Sequence, residues 1–291
     1  MNVTLRQLAV FAATARLNRI TQAAEELCMT QSAASQSVKE LESILGYKVF
    51  DRLGRKLQVN ENGKAILSKV TKMLELQAEL QQPASTELQG PLKVAASVTI
   101  SSYLMPRILA DFVQQYPQVE PDLCISNSEE VIARLMAGKA HIGLIEAPIM
   151  HEHLAISPWR TDKLAVFCAS NHPIATQGKI SIKSMSKQRW ILREPGSGTR
   201  SVFISAMQQQ GGFIENSMGL ARQEAIKQAV KANLGLGVLS LLSIQQELRL
   251  GVFKQLETPL NLNRQFSIVQ SEHYQHTQIV ISFRDFLRRQ S

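Results

Sequence analysis

Residues 21–42, TQAAEELCMTQSAASQSVKELE, hold two helical patterns joined by a tight turn. Ala23, Ala24 and Leu27 share one face of a short first helix, and Glu25 and Glu26 turn to solvent. Cys28 and Met29 make the connection. Thr30 then caps a second helix, predicted to run to about Leu45, by offering its hydroxyl to the unpaired backbone N–H groups of the first turn. Ala34, Val38, Leu41 and Leu45 form its apolar stripe, while Gln31, Ser32, Ser35, Gln36 and Lys39 occupy the opposite face. A solvated helix face usually interleaves Lys and Glu. This one is polar but almost uncharged, which suits hydrogen bonding to base edges and phosphates in a major groove. A plain helical hairpin with a Ser/Gln-rich surface is the competing reading of the same pattern.

The flanking residues add a hairpin and a helix. Gly46 ends the second helix in the left-handed region, and residues 49–50 and 57–59 read as short strands around a turn holding Arg52, Arg55 and Lys56. Upstream, Leu5, Leu8, Phe11, Ala12 and Ala15 mark a first helix opening at about Thr4, against which the hairpin of helices packs. Helix, turn, helix and basic wing in this order resemble the winged helix-turn-helix of the LysR-type transcriptional regulators. The resemblance rests on Leu5, Leu8 and Phe11, on Ala23, Ala24 and Leu27, on Gln31, Ala33 and Ser35, and on Leu41, Glu42, Leu45, Gly46, Phe50 and Arg52. It implies binding to double-stranded DNA through Thr30, Gln31, Ser32, Ser35, Gln36, Lys39, Arg52, Arg55 and Lys56. Many members carry arginine where Gln36 stands here. Arginine favours guanine and glutamine favours adenine, so the base preference is this chain's own.

Asn60 is a plausible cap for a long helix reaching Leu80, with Ile66, Val70, Met73 and Leu80 at alternating four and three spacing and Gln77 in the seam. Two readings are open: a seam against a second copy, or a helix packed on its own small domain. In the LysR-type family this segment is the dimerising linker helix, and the resemblance implies a homodimer there and a homotetramer of two dimers. Residues 81–90, with Pro83, Ser85 and Gly90, have loop composition and read as a hinge. The expected division is 1–60 for the DNA-binding domain, 61–90 for linker helix and hinge, and 91–291 for an effector domain.

From Pro91 onward short apolar runs alternate with helical patterns, the mark of a parallel-type α/β sheet. Strands are predicted at 92–96, 123–126, 141–145, 163–169, 190–192, 235–239 and 265–270, and helices at 102–115, 128–137 and 278–288. The last strand and helix need a partner sheet in the first lobe, so lobe I is expected at about 91–162 and 266–291 and lobe II at about 163–265. The fold class is α/β overall. Two lobes with crossing strands resemble the LysR-type effector domain, itself similar to periplasmic solute-binding proteins.

Ligands in open α/β sheets bind beyond the carboxyl ends of strands, where helix N-termini present free N–H groups. Two stretches fit. Ser97, Thr99, Ser101 and Ser102 follow the first strand, and ILREPGSGTR at 191–200 ends a strand and enters a helix through Pro195, Gly196, Ser197 and Gly198. Glycine permits close backbone approach and the helix dipole favours an anion. The second stretch resembles a LysR-type subgroup linked to sulphur and inorganic-carbon metabolism. Carrying the family's effector positions over implies Ser97, Thr99 and the Ile100 backbone on one lobe, Ser197, Gly198 and Thr199 on the other, and Glu146 beside them. A carboxylate is awkward next to an anion unless it is protonated or pairs with Arg193 or Arg200, and a structural salt bridge is the alternative for Glu146. The expected effector is a small anion such as sulphite or sulphate, or a small carboxylate.

Composition narrows the classes. The 291 residues are 44% hydrophobic with net charge +8, enough for two or three cores. Residues 1–90 carry 11 Lys/Arg against 9 Asp/Glu, and 91–291 carry 21 against 15, so bulk charge says little about DNA. Local charge says more, since Lys48, Arg52, Arg55 and Lys56 face only Asp51 within the wing. No apolar run reaches the roughly 18 residues of a membrane span and no signal peptide is recognisable, so a cytoplasmic protein is expected. Cys28, Cys124 and Cys168 are widely spaced in apolar surroundings and read as buried thiols. There is no phosphate loop and no Gly-x-Ser-x-Gly elbow, and His151 with His153 has only Glu152 nearby, so no enzyme, cofactor or metal site is expected. A small-molecule binding protein with an N-terminal dimerisation module is the alternative to a DNA-binding regulator.

Overall fold

The computed structural model describes residues 2–53, 56–81, 88–146, 149, 151–271 and 277–290. The chain forms two compact units, one up to Glu87 and the other from Leu88 onward apart from the short 136–139 turn. No helix among the described residues is long and apolar enough to cross a membrane.

The first unit opens with α1 (Leu5–Leu17), whose capping box is complete: the Thr4 hydroxyl accepts from the Gln7 N–H and the Gln7 side chain accepts from the Thr4 N–H. α2 (Ile20–Glu26) and α3 (Gln31–Leu45) follow, α3 starting on Thr30 as cap and ending on Gly46 at φ 77°. β1 (Phe50–Leu53) and β2 (Lys56–Val59) pair antiparallel, with Phe50 opposite Val59. The strands are longer than the predicted two and three residues. Leu8, Phe11, Ala24, Ala34, Val38, Leu41, Val49 and Phe50 make one core, with the Phe11 and Phe50 rings 5.4 Å apart.

α4 (Glu61–Gln81) begins where expected, with Asn60 Oδ1 accepting from the Gly63 N–H at 2.9 Å. Its apolar face divides. Val70 is only 4% exposed and belongs to the core of its own unit, and Ile66, Leu67 and Leu74 pack there too. Val70 is therefore not free for a seam with a second copy, which corrects its expected place there, and Ile66 is partly covered. Met73 and Leu76 are exposed instead, at 50% and 43%; Leu80 lies outside the described side chains. The hinge residues 82–87 are outside the described residues, and Gln89 and Gly90 already belong to a strand.

In the second unit β3 (Gln89–Ser97) leads into α5 (Val98–Tyr103) and α6 (Met105–Gln115), then β4 (Gln118–Ser126), α7 (Ser128–Met136) and β5 (Ile142–Ile145). The single helix expected at 102–115 is two helices that meet at Leu104, where φ stretches to −117° and Pro106, which has no N–H to donate, sits in the first turn of the second. β6 (Leu154–Ala169) starts well before the predicted 163. Next come α8 (Ile182–Ser186), β7 (Arg189–Leu192), α9 (Gly198–Gln209), β8 (Asn216–Gly219), α10 (Gln223–Lys231), β9 (Leu236–Ser240), α11 (Leu241–Arg249), β10 (Phe253–Leu256), β11 (Asn263–Ser271) and α12 (Gln278–Arg289).

The strands form one continuous path, β4-β3-β5-β11-β6-β9-β7-β8, with β10 also on β6. β3 pairs parallel with β4 and β5, and β7 parallel with β8 and β9. β6 and β11 run antiparallel and carry the chain between the halves. Each half is covered on both faces, which is why its strands read as unbroken apolar runs. Leu92, Val94 and Ala96 face Phe112, Phe283 and Phe286 on one side, while Ala95 faces Val131 and Leu135 on the other. Leu164 and Val166 meet Trp190 and Phe203, and Ala165 and Phe167 meet Ile226, Val230 and Ile244.

The thiols differ from the uniform burial expected. Cys168 is buried, and burial pushes its thiol up to about 11. Cys124 is half-buried. Cys28 is exposed, because the α2–α3 turn needs a residue at φ 50° whose side chain points outward.

Val70→Asp should disrupt the first unit itself, since an unpaired buried carboxylate costs several kcal/mol. Hydrogen exchange on the full chain should show α1 and α3 losing protection. Unchanged protection there would mean that Val70 does not belong to this core.

Candidate functional site

In the first unit the predicted residues gather on α3. The Thr30 hydroxyl caps the helix, accepting from the Ala33 N–H at 3.2 Å, and lies 3.0 Å from the Ser32 hydroxyl. Gln31, Ser32, Gln36 and Lys39 are exposed and Ser35 is half-buried. A cavity of about 490 Å³ runs between α3 and the hairpin, lined by Ser35, Lys39, Glu42, Lys48, Phe50 and Asp51 among others. Glu42 Oε1 accepts from the Val49 N–H at 2.9 Å and so fixes the start of the hairpin to the helix. The side chains of Arg52 and Lys56, and Arg55 altogether, lie outside the described residues.

In the second unit Ser97, Thr99, Ile100, Glu146, Ser197, Gly198 and Thr199 are all buried. Ser97 and Ser197 are the N-cap residues of α5 and α9, yet neither hydroxyl closes on its own helix. Both, together with that of Ser126, are buried without a hydrogen-bond partner among the described residues. A buried hydroxyl with no protein partner has its hydrogen-bonding capacity open to water or to a ligand. The Ile100 side chain is part of the core, so only its backbone can serve a ligand.

The residue that brings the two stretches together is absent from the sequence-based set. Arg264, at the start of β11, is 2% exposed in its side chain and pairs with Asp162 on β6, Nε to Oδ2 at 2.7 Å, at the register position opposite it. Its Nη1 donates to Thr199 Oγ1 at 3.0 Å and its Nη2 to Thr99 Oγ1 at 3.4 Å. Nη2 also lies 3.0 Å from Glu146 Oε2, an ion pair whose alignment does not meet that of a hydrogen bond. Thr199 donates to Glu146 Oε1 at 3.4 Å, Gln223 Nε2 to Thr99 Oγ1 at 3.0 Å, and Ser240 Oγ to Asp162 Oδ1 at 2.8 Å. One guanidinium thus touches both threonines, and two carboxylates surround it. No sequence motif marks Arg264, Asp162 or Gln223; the only signal is a charged pair at the ends of two predicted strands.

Glu146 therefore pairs with Arg264, not with Arg193 or Arg200. Arg193 is held by its neighbour Glu194 through two contacts of 2.7 Å, and Arg200 Nη1 donates to the Arg193 carbonyl at 2.9 Å. The glycines also act differently from expectation. A Cβ on Gly198 would stand 2.8 Å from Glu146 Cγ and 2.9 Å from its carbonyl carbon, and one on Gly196 would stand 2.6 Å from Glu129 Oε2. Their missing side chains let the 194–199 turn press on the opposite lobe. A cavity of about 530 Å³ lies beside that turn, lined by Ser128, Glu129, Gly196, Ser201, Ser205 and Asn263 among others; neither threonine nor Arg264 borders it.

The chain was compared with known families and structures. Residues 5–64 match the bacterial regulatory helix-turn-helix protein, lysR family, and residues 85–291 match the LysR substrate binding domain. The chain belongs to the LysR family. It is a LysR-type DNA-binding transcriptional regulator with an effector-binding domain. Among its relatives, the regulator YeiE of Escherichia coli K12 is 36% identical over 260 residues, 89% of this chain and 88% of that one. The transcriptional activator CmpR of Synechocystis is 32% identical over 290 residues, 98% and 95% of the two chains. A full-length OxyR variant from Pseudomonas aeruginosa shares the fold with a TM-score of 0.80 at 22% identity, over 99% of this chain and 95% of that one. The Synechocystis CcmR regulatory domain, solved in complex with 2-PG, has a TM-score of 0.63 at 27% identity, over 69% and 97%.

Asp162→Asn leaves the Arg264 guanidinium without its best-aligned carboxylate. Breaking a buried pair from one side costs roughly 3–5 kcal/mol. Urea unfolding followed by Trp159 and Trp190 fluorescence should show a loss of that size; a change within roughly 0.5 kcal/mol, that of a surface substitution, would mean that the pair does not hold the crossing strands.

Proposed function

We propose that the protein regulates transcription in the cytoplasm by binding operator DNA through α3 and the basic hairpin, and that a small anion between the two lobes switches it. The observation carrying the second half is the pair of buried, unpartnered cap serines, Ser97 and Ser197, beside two threonines that share the Arg264 guanidinium. Ser97, Thr99, the Ile100 backbone, Ser197, Gly198 and Thr199 supply neutral donors, and Arg264 supplies the fixed positive charge. Glu146 and Asp162 already balance that charge, so the ligand must gain most from the hydroxyls and N–H groups. This supports a small oxyanion or carboxylate with several acceptor oxygens. The complex of CcmR with 2-PG favours the same class, and sulphite, sulphate and 2-PG are the first probes.

The protein works as an oligomer in this reading, a dimer through α4 and a tetramer from two dimers. Met73 and Leu76, three residues apart and exposed, are the apolar contacts that α4 leaves available to a second copy. An anion bound across the lobes favours one lobe arrangement by its differential affinity and so changes how the DNA-binding units are spaced.

Thr99→Ala and Ser197→Ala should each raise the dissociation constant for the best of the three probes several-fold to about a hundredfold, while effector-free affinity for an operator fragment stays nearly constant. Calorimetry alongside mobility shifts measures both quantities. Unaltered ligand affinity in both variants would place the effector elsewhere. Separately, Met73→Asp with Leu76→Asp should lower the sedimentation coefficient without lowering the melting temperature, and an unchanged coefficient would remove α4 from the dimer contact.

A further inference from the structure

On a helix that reads DNA an exposed carboxylate is repelled by the phosphates, and its direct use in the groove is limited to accepting from the cytosine amino group. α3 nevertheless carries Glu40, exposed and one turn after Gln36. Both of its oxygens are engaged. Oε1 accepts from Gln36 Nε2 at 3.0 Å, and Oε2 accepts from Gln7 Nε2 at 3.1 Å. Gln7 is itself fixed at both ends of its amide. Its Oε1 accepts from the Thr4 N–H at 2.9 Å as part of the α1 capping box, so its Nε2 has to face Glu40. Gln7 is 8% exposed and cannot swing away into solvent. A chain of four residues therefore runs from the start of α1 to the exposed amide of Gln36, and each link sets the orientation of the next.

The consequence is chemical. A glutamine amide has two N–H donors and one carbonyl acceptor. With one N–H held by Glu40, Gln36 has one donor and one acceptor left for the groove. That set matches adenine, which presents an N6 donor beside an N7 acceptor, and its acceptor alone matches the N4 donor of cytosine. Guanine presents two acceptors, N7 and O6, and the second N–H needed to meet both is already occupied. We propose that Glu40 is a positioning residue for Gln36, and that the Gln7–Glu40–Gln36 relay makes α3 select a base edge that offers a donor, adenine above all, against guanine. The proposal rests on the reading that α3 enters the major groove.

Charge alone and positioning predict different outcomes for the same substitution. Removing the Glu40 carboxylate relieves repulsion from phosphates, which tightens binding to every sequence alike. Losing the relay frees the second N–H of Gln36 and flattens its preference. The experiment uses the full chain, an operator recovered by selection from genomic fragments, and four duplexes differing at the base pair that Gln36→Ala desensitises. The parent should discriminate against guanine by about tenfold or more, the scale of one good bidentate contact. Glu40→Ala should bring guanine to within about threefold of adenine. Gln7→Leu, which keeps the Glu40 charge but unties it, should flatten the same position, and circular dichroism melting verifies that both variants are folded. If Glu40→Ala keeps the parental preference and shifts all four affinities together, Glu40 acts through charge and the relay is wrong. If Gln36→Ala alters preference at no base pair, the reading of α3 as the DNA-contacting helix fails, and the relay with it.

Discussion

A guanidinium taken out of water must find carboxylates and oriented acceptors around it, and Arg264 imposes that demand where the two crossing strands of the effector-binding unit meet. Asp162 answers from the opposite strand at 2.7 Å, with Ser240 steadying its other oxygen. The remaining nitrogens then reach Thr99, Thr199 and Glu146, which lie on different elements of both halves. The end of β5 and the starts of α5 and α9 are thus tied to one planar cation. Its rigid fork fixes direction as well as distance, a property that lysine with its single ammonium lacks.

The two units use their helix caps in opposite ways. Thr4 and Thr30 turn their hydroxyls onto their own helices, completing α1 and α3 and holding the exposed face of α3 in register with α1. Ser97 and Ser197 occupy the same kind of position, and their buried hydroxyls have no hydrogen-bond partner among the described residues. A cap that closes on its helix contributes about 1 kcal/mol to stability, and one that does not forgoes it. The contrast is between two helices closed by their own cap side chains and two whose caps leave that bond unmade.

Local signals carried most of the fold into the sequence. The 3.6-residue spacing of Ala34, Val38 and Leu41, the Thr30 cap and the Gly46 stop all act within a few residues, and the apolar runs at 92–96 and 163–169 need only the rule that a doubly covered strand is apolar throughout. What was not legible depends on partners distant in sequence. The spacing of Ile66, Val70 and Met73 announces an apolar face but not what covers it; the unit's own core covers Val70 and part of Ile66 and leaves Met73 exposed. Arg264 and Asp162 are 102 positions apart, and the only hint that they meet is their opposite charge at the ends of two predicted strands. Likewise Gly198 looks in sequence like a residue yielding to a ligand, whereas its backbone yields to Glu146, far away in the chain. The break at Leu104, with Pro106 as its visible sign, is a local feature overlooked, as are the helices Gln223–Lys231 and Leu241–Arg249.

The strand order has a consequence for how the chain is made. β11, synthesised after β3 to β10, inserts between β5 and β6, and α12 then supplies Phe283, Phe286 and Leu287 to the core under β3. The hydrophobic core of the first unit is built from residues Leu8 to Leu74 and can form while synthesis continues, as N-terminal domains generally do. The sheet from β3 to β5 has no such freedom. It waits with an open edge and an uncovered apolar face until the residues from Asn263 onward arrive, the interval in which long-range strand pairing is slow and association with other chains is fastest.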